Sequence, residues 1–230
     1  AFAEFVSVPQ HVLLAIPDGL SMEEACFAEP VSVALHAVNL VPVKKGDSAL
    51  VVGAGIIGLL VIQALKAAGC ERVIAVDLDE GRLKLAKELG ASEVMLSDQD
   101  AVLEHIRGTT PRGDGVDIAM EVVGISPTVG LAVKSVRKGG AVGLVGNLAA
   151  EVQFPLQAVV TRELSVFGSC ASAGGEFAEA LAKVAEGTIR VEPLISAVAD
   201  LADGGDWFSR LYGGKEGLIK VILKPGQGAG

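Results

Sequence analysis

Three glycines and one aspartate have the residue types and the spacing needed to bind a phosphorylated ligand. Gly53, Gly55 and Gly58 form the pattern G-x-G-x-x-G, and Asp77 follows the last of them by 19 residues. In this pattern the first glycine allows a tight turn, the second admits a pyrophosphate to the backbone, and the third lets a helix pack closely on a strand. An aspartate at this separation accepts hydrogen bonds from ribose hydroxyls and would repel a 2′-phosphate. These residues predict a dinucleotide site that prefers NAD to NADP.

The segments around the glycines must form the elements that position them, because the chain has 29 glycines in 230 residues and the spacing alone is weak evidence. Residues 48–54 are typical of a buried parallel strand. Apolar residues then recur at helical spacing up to Gly69, and "RVIAVDL" predicts a second strand that carries Asp77. A helix starting near Gly55 would direct N–H groups and a positive dipole end at the phosphates. The alternative is a glycine turn that binds nothing, but this order of elements favours the dinucleotide.

An alternation of strands and helices extends from about Gly46 to Gly187. Beyond the two strands above, it predicts strands at "SEVMLS", "GVDIAMEVV", "AVGLVGN" and "LSVFGSC", and a helix in "SPTVGLAVKSVRKGG" that the glycines end. Strands that alternate with helices indicate an α/β fold with a doubly wound parallel sheet, and six of them indicate the Rossmann arrangement. A ligand of such a sheet binds at the carboxyl ends of the strands.

The two flanks do not follow this alternation. Residues 1–20 contain strand-like pieces and a Pro17-Asp18-Gly19 turn, and Ser21 with Glu24 predicts a capping box for a helix through about Leu40. The segment after Gly187 predicts a strand, a short helix and a final strand, and the tail, residues 225–230, is predicted to be disordered. The chain opens without methionine and with an interrupted apolar alternation, which is typical of a piece of a longer protein.

The composition excludes several classes of function. Half of the residues are hydrophobic, 20% are charged, and the net charge is −9, which disfavours nucleic acid or an anionic membrane surface as a partner. No apolar run reaches the length of a membrane span, and no signal-peptide pattern is visible. The three cysteines (Cys26, Cys70 and Cys170) contain no C-x-x-C pair. They favour reduced thiols in a cytoplasmic protein, each packed as a small buried hydrophobic residue.

Five segments in this order resemble one known family. They are "FAEFVSVP", "IPDGLSMEEACFAEPVSVALHAV", "VKKGDSALVVGAGIIG", "VDLDEGRLKLAKELGA" and "GLIKVIL". The chain resembles the zinc-dependent medium-chain dehydrogenases, in the branch of the polyol and threonine dehydrogenases. The resemblance implies a GroES-like catalytic domain interrupted by a nucleotide-binding domain. Residues 1–45 would then be the end of the catalytic domain with a connecting helix, residues 46–188 the NAD-binding Rossmann domain, and residues 189–230 the returning segment of the catalytic domain and the tail.

The resemblance also assigns candidate cofactor residues beyond the glycines and Asp77. It places Arg82 on the adenine side, and the alternative is a solvated charge on a helix surface. The remaining candidates follow the glycines or end the fourth, fifth and sixth strands; they are Ile56, Ile57, Val123, Gly124, Val145, Gly146, Asn147, Ser169 and Cys170.

Glu29 stands where the family has an acidic residue at or beside its catalytic zinc, and the alternative is an ordinary acid near a helix start. A catalytic zinc needs about three protein ligands. The family's cysteine and His-Glu pair are absent from this sequence, so zinc is expected only in a longer protein. His36 is predicted to pack rather than to bind metal, and His11 and His105 have no predicted cluster around them.

The resemblance implies NAD-dependent, zinc-assisted oxidation of a secondary alcohol, such as a polyol, a sugar acid or an amino-alcohol, with this chain carrying the cofactor-binding part. Two alternatives stay open: a zinc-free reductase of the quinone-reductase kind, which typically uses NADPH, and a catalytically silent NAD-binding module. The resemblance and the sheet edge expected at the sixth strand also predict a homodimer or homotetramer.

Overall fold

The computed structural model describes residues 2–214 and 216–226. The strands within these residues are β1 (Ser48–Val52), β2 (Arg72–Asp77), β3 (Glu93–Leu96), β4 (Val116–Glu121), β5 (Val136–Leu144), β6 (Ser165–Gly168), β7 (Ile195–Asp200) and β8 (Lys220–Lys224). The α-helices are α1 (Met22–Ala25), α2 (Ala28–Leu40), α3 (Ile56–Ala67), α4 (Glu80–Glu88), α5 (Gln99–Thr109), α6 (Ser126–Ser135), α7 (Leu156–Arg162), α8 (Glu176–Ala185) and α9 (Gly204–Gly213).

Six strands form one parallel sheet in the order β3-β2-β1-β4-β5-β6. The chain reverses direction across the sheet after β3, so β1 and β4 are neighbours and their carboxyl ends flank the point of reversal. This is the doubly wound arrangement whose ligands bind at that point. The predicted α/β Rossmann fold is confirmed.

Helices cover both faces of the sheet. One face packs residues of β1, β2 and β4 against α2, α3, α4 and α8, and the other packs the alternate residues of these strands against α5, α6 and α7. Because both faces are covered, residues 49–52 of β1, 73–76 of β2 and 118–120 of β4 are apolar and buried. The two layers hold the carboxyl ends of the strands at one rim.

The predicted helix after the fourth strand is shorter than the sequence indicated. It ends at Ser135, and Val136 already has the extended backbone of β5, with φ −86° and ψ 137°. Val116 pairs with Val136, whereas Ile118 pairs with Ala141, so β5 bulges between these two pairs. The pairing of Val136 with Val116 in the sheet explains the early change, since tertiary context overrides local helix propensity.

The N-terminal flank differs from the sequence prediction in two respects. Ser21 and Glu24 form the predicted capping box, but the helix is interrupted at Cys26 and Phe27 and restarts as α2. Pro30 lies in the first turn of α2, where it needs no N–H donor, and a continuous helix would have lost that hydrogen bond. The described residues 2–20 contain no strand, because none of these extended pieces has a strand beside it with which to pair.

Other features of the flanks agree with the prediction. The Leu20 N–H donates to the Pro17 carbonyl at 3.2 Å and closes the predicted turn. Strands β7 and β8 pair in parallel, with α9 between them in the chain. The predicted disorder of residues 227–230 lies outside the described residues.

The cysteines and the helices give two further results. Cys70 is buried as predicted, and burial raises the pKa of its thiol to about 11, but Cys26 and Cys170 are exposed, so the prediction of burial was wrong for these two. Cys26 caps the end of α1, and Cys170 lies two residues after the end of β6, so both are in connecting segments. In the part of the chain that the structure describes, no helix is both long and apolar enough to cross a membrane.

Candidate functional site

The candidate cofactor residues are brought together at one rim of the sheet. Val76, Val52, Glu121, Leu144 and Gly168 pair across five neighbouring strands, one after another. The chain continues from these positions into Asp77, into the glycine turn, and into the loops that hold the other candidates. Residues as far apart in the sequence as Gly53 and Cys170 therefore share one edge, as the carboxyl ends of parallel strands must.

The turn after β1 depends on two of the three predicted glycines. Gly53 has φ +103°, a conformation that favours glycine, and its N–H donates to the Val76 carbonyl at 2.8 Å. A Cβ atom on Gly53 would lie 2.6 Å from Cγ2 of Val123, and a Cβ on Gly58 would lie 1.9 Å from the Gly53 carbonyl oxygen. Both glycines are required by close contact, one with the loop after β4 and one between helix α3 and the turn.

Gly55 is different, because nothing lies within 4 Å of the position where its Cβ would be. It is the residue before helix α3, which starts at Ile56 and Ile57, and its backbone is extended. The first N–H groups of a helix have no acceptor within the helix and carry the positive end of its dipole. The open space over Gly55 and these N–H groups fit a pyrophosphate.

Asp77 is fixed to the glycine turn by its carboxylate. Oδ2 accepts a hydrogen bond from the Ala54 N–H at 2.6 Å, and Oδ1 accepts one from the Asp79 N–H at 3.0 Å. A carboxylate has about four acceptor positions, so two are left for hydroxyl groups. The sequence predicted an acid near the end of the second strand; the structure adds that backbone donors orient it.

Arg82 lies in the first turn of α4, and its N–H donates to Oδ1 of Asp79, the residue that caps this helix. Its guanidinium Nε is buried and has no hydrogen-bond partner in the described residues. A buried donor without an acceptor is rare in folded proteins. The side chain therefore fits a ligand that supplies an acceptor on the predicted adenosine side.

The loops after β4 and β5 form one hydrogen-bonded unit. The Leu148 N–H donates to the Val123 carbonyl at 3.2 Å, and the Ala149 N–H donates to the Gly124 carbonyl at 2.9 Å. A Cβ on Gly124 would lie 2.3 Å from the Asn147 nitrogen, and a Cβ on Gly146 would lie 2.2 Å from the Gly124 nitrogen. Four of the predicted residues, Val123, Gly124, Gly146 and Asn147, are thus in backbone contact, and Val145 lies beside them directly after β5.

Ser169 and Cys170 follow β6 at the far end of the same rim. The Ser169 N–H donates to the Leu144 carbonyl at 2.9 Å, while its Oγ is buried without a partner in the residues that the structure describes. Cys170 is exposed. Strands β4 and β5 lie between these two residues and the glycine turn. A ligand that contacts the glycine turn and also Ser169 or Cys170 must therefore be long. A dinucleotide has that length.

Sequence reasoning missed one residue of this rim. Glu121 is the last residue of β4 and is fully buried, with 0% of its surface exposed. Its Oε1 accepts hydrogen bonds from the N–H groups of Val123 at 3.0 Å and Gly124 at 2.8 Å. The signal was available in "IAMEVV", since an acid inside an apolar parallel strand must be paired or hydrogen-bonded when it is buried.

A second polar cluster lies at the opposite rim, where β2 and β3 begin. The guanidinium of Arg72 donates to both oxygens of Glu93, at 2.5 and 3.0 Å, and His105 Nε2 lies 2.5 Å from Glu93 Oε2. The hydrogen bond from Arg72 is the main reason that the pKa of Glu93 is lowered to about 2. The expectation that His105 has no cluster around it was wrong, because its partners come from other elements.

The residues near Glu29 do not form a zinc site. The Glu29 side chain is exposed in the first turn of α2, and no group of three or more His, Cys, Asp or Glu residues in the described ranges is placed to hold a metal ion. His36, on the same helix, contacts Glu176 of α8 at 3.0 Å, where the two helices pack. The role of Glu29 as a ligand stays a prediction for a longer protein.

Comparison with known proteins shows which family this chain resembles in sequence. The sequence profile of the family described as "Zinc-binding dehydrogenase" matches residues 57–186. D-xylulose reductase A of Aspergillus oryzae is 33% identical over 224 residues, which cover 96% of this chain and 62% of that protein. The chain thus spans about three fifths of the length of the curated relatives it matches.

Solved structures show the same fold. The 2R,3R-butanediol dehydrogenase of Bacillus subtilis superposes with a TM-score of 0.89 at 35% identity, covering 97% of this chain and 64% of that one. A protein of Sinorhizobium meliloti 1021, described as a zinc-binding dehydrogenase and bound to NADP, superposes with a TM-score of 0.86 at 31% identity, covering 98% of this chain and 66% of that one.

Proposed function

This chain belongs to the zinc-binding dehydrogenase family, and on that premise we propose that it is the cofactor-binding part of an NAD-dependent dehydrogenase that oxidises a secondary alcohol. The substrates proposed are polyols, sugar acids or amino-alcohols. Two similar proteins carry names that fit this class, D-xylulose reductase and butanediol dehydrogenase. The names describe those proteins and support the proposal for this one by similarity.

The position of the Asp77 carboxylate carries the proposal. It lies beside the glycine turn, and backbone N–H groups of Ala54 and Asp79 hold it there. Acceptors so placed suit the two hydroxyls of an adenosine ribose, and the negative charge disfavours the additional phosphate of NADP. Arg82 would face the adenine side, and its unpartnered Nε would gain an acceptor there.

Different residues of the rim are proposed to bind the pyrophosphate and the nicotinamide. The first turn of α3, with Gly55, Ile56 and Ile57, would bind the pyrophosphate. The joined loops after β4 and β5 would hold the nicotinamide ring in position and shield one side of it from water. The bound nicotinamide would supply the acceptor for the hydride of the alcohol carbon. This chain supplies binding and orientation; no proton relay is assigned to its residues.

No reaction step is assigned to zinc on this chain, because the described residues lack a group of three ligands near Glu29. Glu29 is proposed as a residue beside the metal only in a protein that contributes the other ligands. The shared family supports this placement. The substrate pocket is likewise proposed to require residues beyond this chain.

Self-association through β6 belongs to the same proposal. This strand lies at the edge of the six-stranded sheet, with Val166 36% exposed, and the neighbouring helix α7 exposes Leu156 and Val160. An apolar edge strand can pair with a second copy about a twofold axis. A homodimer, or a tetramer built from it, is therefore proposed.

The test of the proposal compares two aspartates of successive β–α units: Asp77 at the end of β2 and Asp98 before helix α5. Asp77→Ser should weaken NAD binding by about tenfold or more, since hydrogen bonds to a charged group are worth about 1.5–3 kcal/mol, and it should narrow the preference for NAD over NADP. Asp98→Ser is the matched control, because Asp98 caps α5 in the next unit and serine can still cap a helix. Calorimetric titration of both variants decides the matter. Equal affinities of Asp77→Ser and the unchanged chain for NAD would refute the role of Asp77.

A further inference from the structure

Glu121 is a buried acid that no positive charge explains. It ends β4 in register with Val52 of β1 and Leu144 of β5, at the centre of the rim that holds the candidate cofactor residues. Its Oε2 is buried and has no hydrogen-bond partner among residues 2–214 and 216–226. Burying a carboxyl group is costly, so a fully buried glutamate at this position calls for a specific use of Oε1, the oxygen that is hydrogen-bonded.

That use is to hold two loops from one residue. The side-chain Oε1 accepts from the N–H groups of Val123 and Gly124, which turns the chain sharply after β4. The backbone carbonyl of the same residue accepts from the N–H groups of Val145 at 2.9 Å and Gly146 at 3.1 Å, which fixes the loop after β5. Four of the predicted cofactor residues therefore take their position from Glu121.

The first loop also packs against the glycine turn through one side chain. The Val123 side chain lies so close to Gly53 that a Cβ there would be 2.6 Å from Val123 Cγ2. Gly124 and Gly146 meet backbone to backbone, with no space for a side chain between them. If the hydrogen bonds to Oε1 were lost, the Val123–Gly124 turn would be free to move at the nicotinamide end, while the helix start that faces the pyrophosphate would keep its own contacts.

We propose that Glu121 is a positioning residue of the nicotinamide half of the site: its buried carboxylate sets the Val123–Gly124 turn against the loop after β5. The inference rests on the proposed NAD site and adds to it the residue that holds its second half in place. Only an acceptor at Oε1 is needed for this role, since Oε2 makes no hydrogen bond within the described residues.

The experiment measures the affinities for NAD and for ADP-ribose, which lacks the nicotinamide, by calorimetric titration of the whole chain. Glu121→Met keeps the volume and removes the acceptor, so NAD binding should weaken by about tenfold while ADP-ribose binding changes less than about threefold. Glu121→Gln retains an acceptor oxygen and should keep the ratio of the two affinities. Met120→Ala is the matched control, a fully buried change on the same strand that leaves the hydrogen bonds of Glu121 in place.

A preserved ratio in Glu121→Met, or an equal change of the ratio in Met120→Ala, would overturn the inference. So would an unchanged chain that binds NAD no more tightly than ADP-ribose, although the proposed cofactor site would then stand. An unchanged chain that binds neither compound would overturn the proposed function and this inference with it. If Glu121→Met does not fold, Glu121→Asp withdraws the acceptor by one methylene and should change the ratio in the same direction; an unchanged ratio there also refutes the role.

Discussion

The carboxylate of Asp77 and the backbone N–H of Ala54 are joined by a 2.6 Å hydrogen bond, which ties the end of β2 to the turn before helix α3. The residue proposed to select the ribose is thus part of the turn proposed to hold the pyrophosphate. A substitution in either element is therefore expected to alter the conformation of the other.

Replacing each of two glycines of the turn by alanine should have different effects on stability and on NAD binding. Gly58→Ala should lower the free energy of unfolding by about 2 kcal/mol, as overpacked contacts do, because its Cβ would lie 1.9 Å from the Gly53 carbonyl oxygen. Gly55→Ala should change it by less than about 0.5 kcal/mol, yet weaken NAD binding by about tenfold, since the new methyl group would occupy the proposed pyrophosphate space. Urea unfolding and NAD titration of both variants test this pair. Unimpaired NAD binding by Gly55→Ala would place the pyrophosphate elsewhere.

Acid should destabilise the protein through Glu93. Its folded-state pKa is about 2, below the ordinary value of 4.5, so its contribution to stability is present above pH 4.5 and is lost as the pH falls towards 2. Glu93→Gln should therefore be less stable than the unchanged chain at pH 7, and the difference between the two should shrink between pH 4.5 and 2.

Urea unfolding at pH 7, 4.5 and 3 measures this difference. Glu104→Gln, on the exposed side of the same helix as His105, is the control for loss of a carboxylate. A stability difference between Glu93→Gln and the unchanged chain that is constant over this range would show that the contacts with Arg72 and His105 do not act through charge.

The chain should self-associate at tens of micromolar through β6. Val166→Lys places a charge on the edge strand and should shift the protein to monomer, because lysine on an edge opposes strand pairing. Val198→Lys is a control of similar exposure on β7, in the other sheet. Sedimentation velocity distinguishes the species. An unchanged chain that is monomeric, or a Val166→Lys variant that still dimerises, would contradict pairing at this edge.

The chain alone should produce no NADH from a secondary alcohol, with or without added zinc. Its described residues offer no group of three ligands, and one exposed glutamate does not hold zinc against water. An absorbance assay with a panel of polyols and metal analysis of the dialysed protein test both halves of this statement. Steady turnover would show that the reaction does not depend on residues outside this chain, and the proposed division of roles would be wrong.

The centre of the sheet was predictable from the sequence because β1 and β2 are buried on both faces. Residues 49–52 and 73–76 are uninterrupted apolar runs, and the helical spacing after Gly55 separates them clearly. The end of α6 was not predictable in the same way. Residues 136–138 give no stop signal before the two glycines, and the change of structure at Val136 depends on its pairing with Val116, 20 residues earlier in the chain.

The candidate site was predictable where a local motif carries it. Gly53, Gly58 and Asp77 lie within 25 residues, and the structure explains the spacing of each. Glu121 and the cluster of Arg72, Glu93 and His105 were missed because their partners are set by strand order and by hydrogen bonds to the backbone. The exposure of Cys26 and Cys170 was missed because burial was inferred from residue type, without regard to position at the end of an element.

Titration of the unchanged chain with NAD and with NADP tests the central claim most directly. The account predicts saturable binding of NAD, with NADP weaker by about tenfold or more, because the 2′-phosphate would lie beside the Asp77 carboxylate. The similar protein of Sinorhizobium meliloti 1021, which is 31% identical, was solved bound to NADP, so the titration includes both cofactors. Binding of NADP as tight as that of NAD, or tighter, would contradict the account.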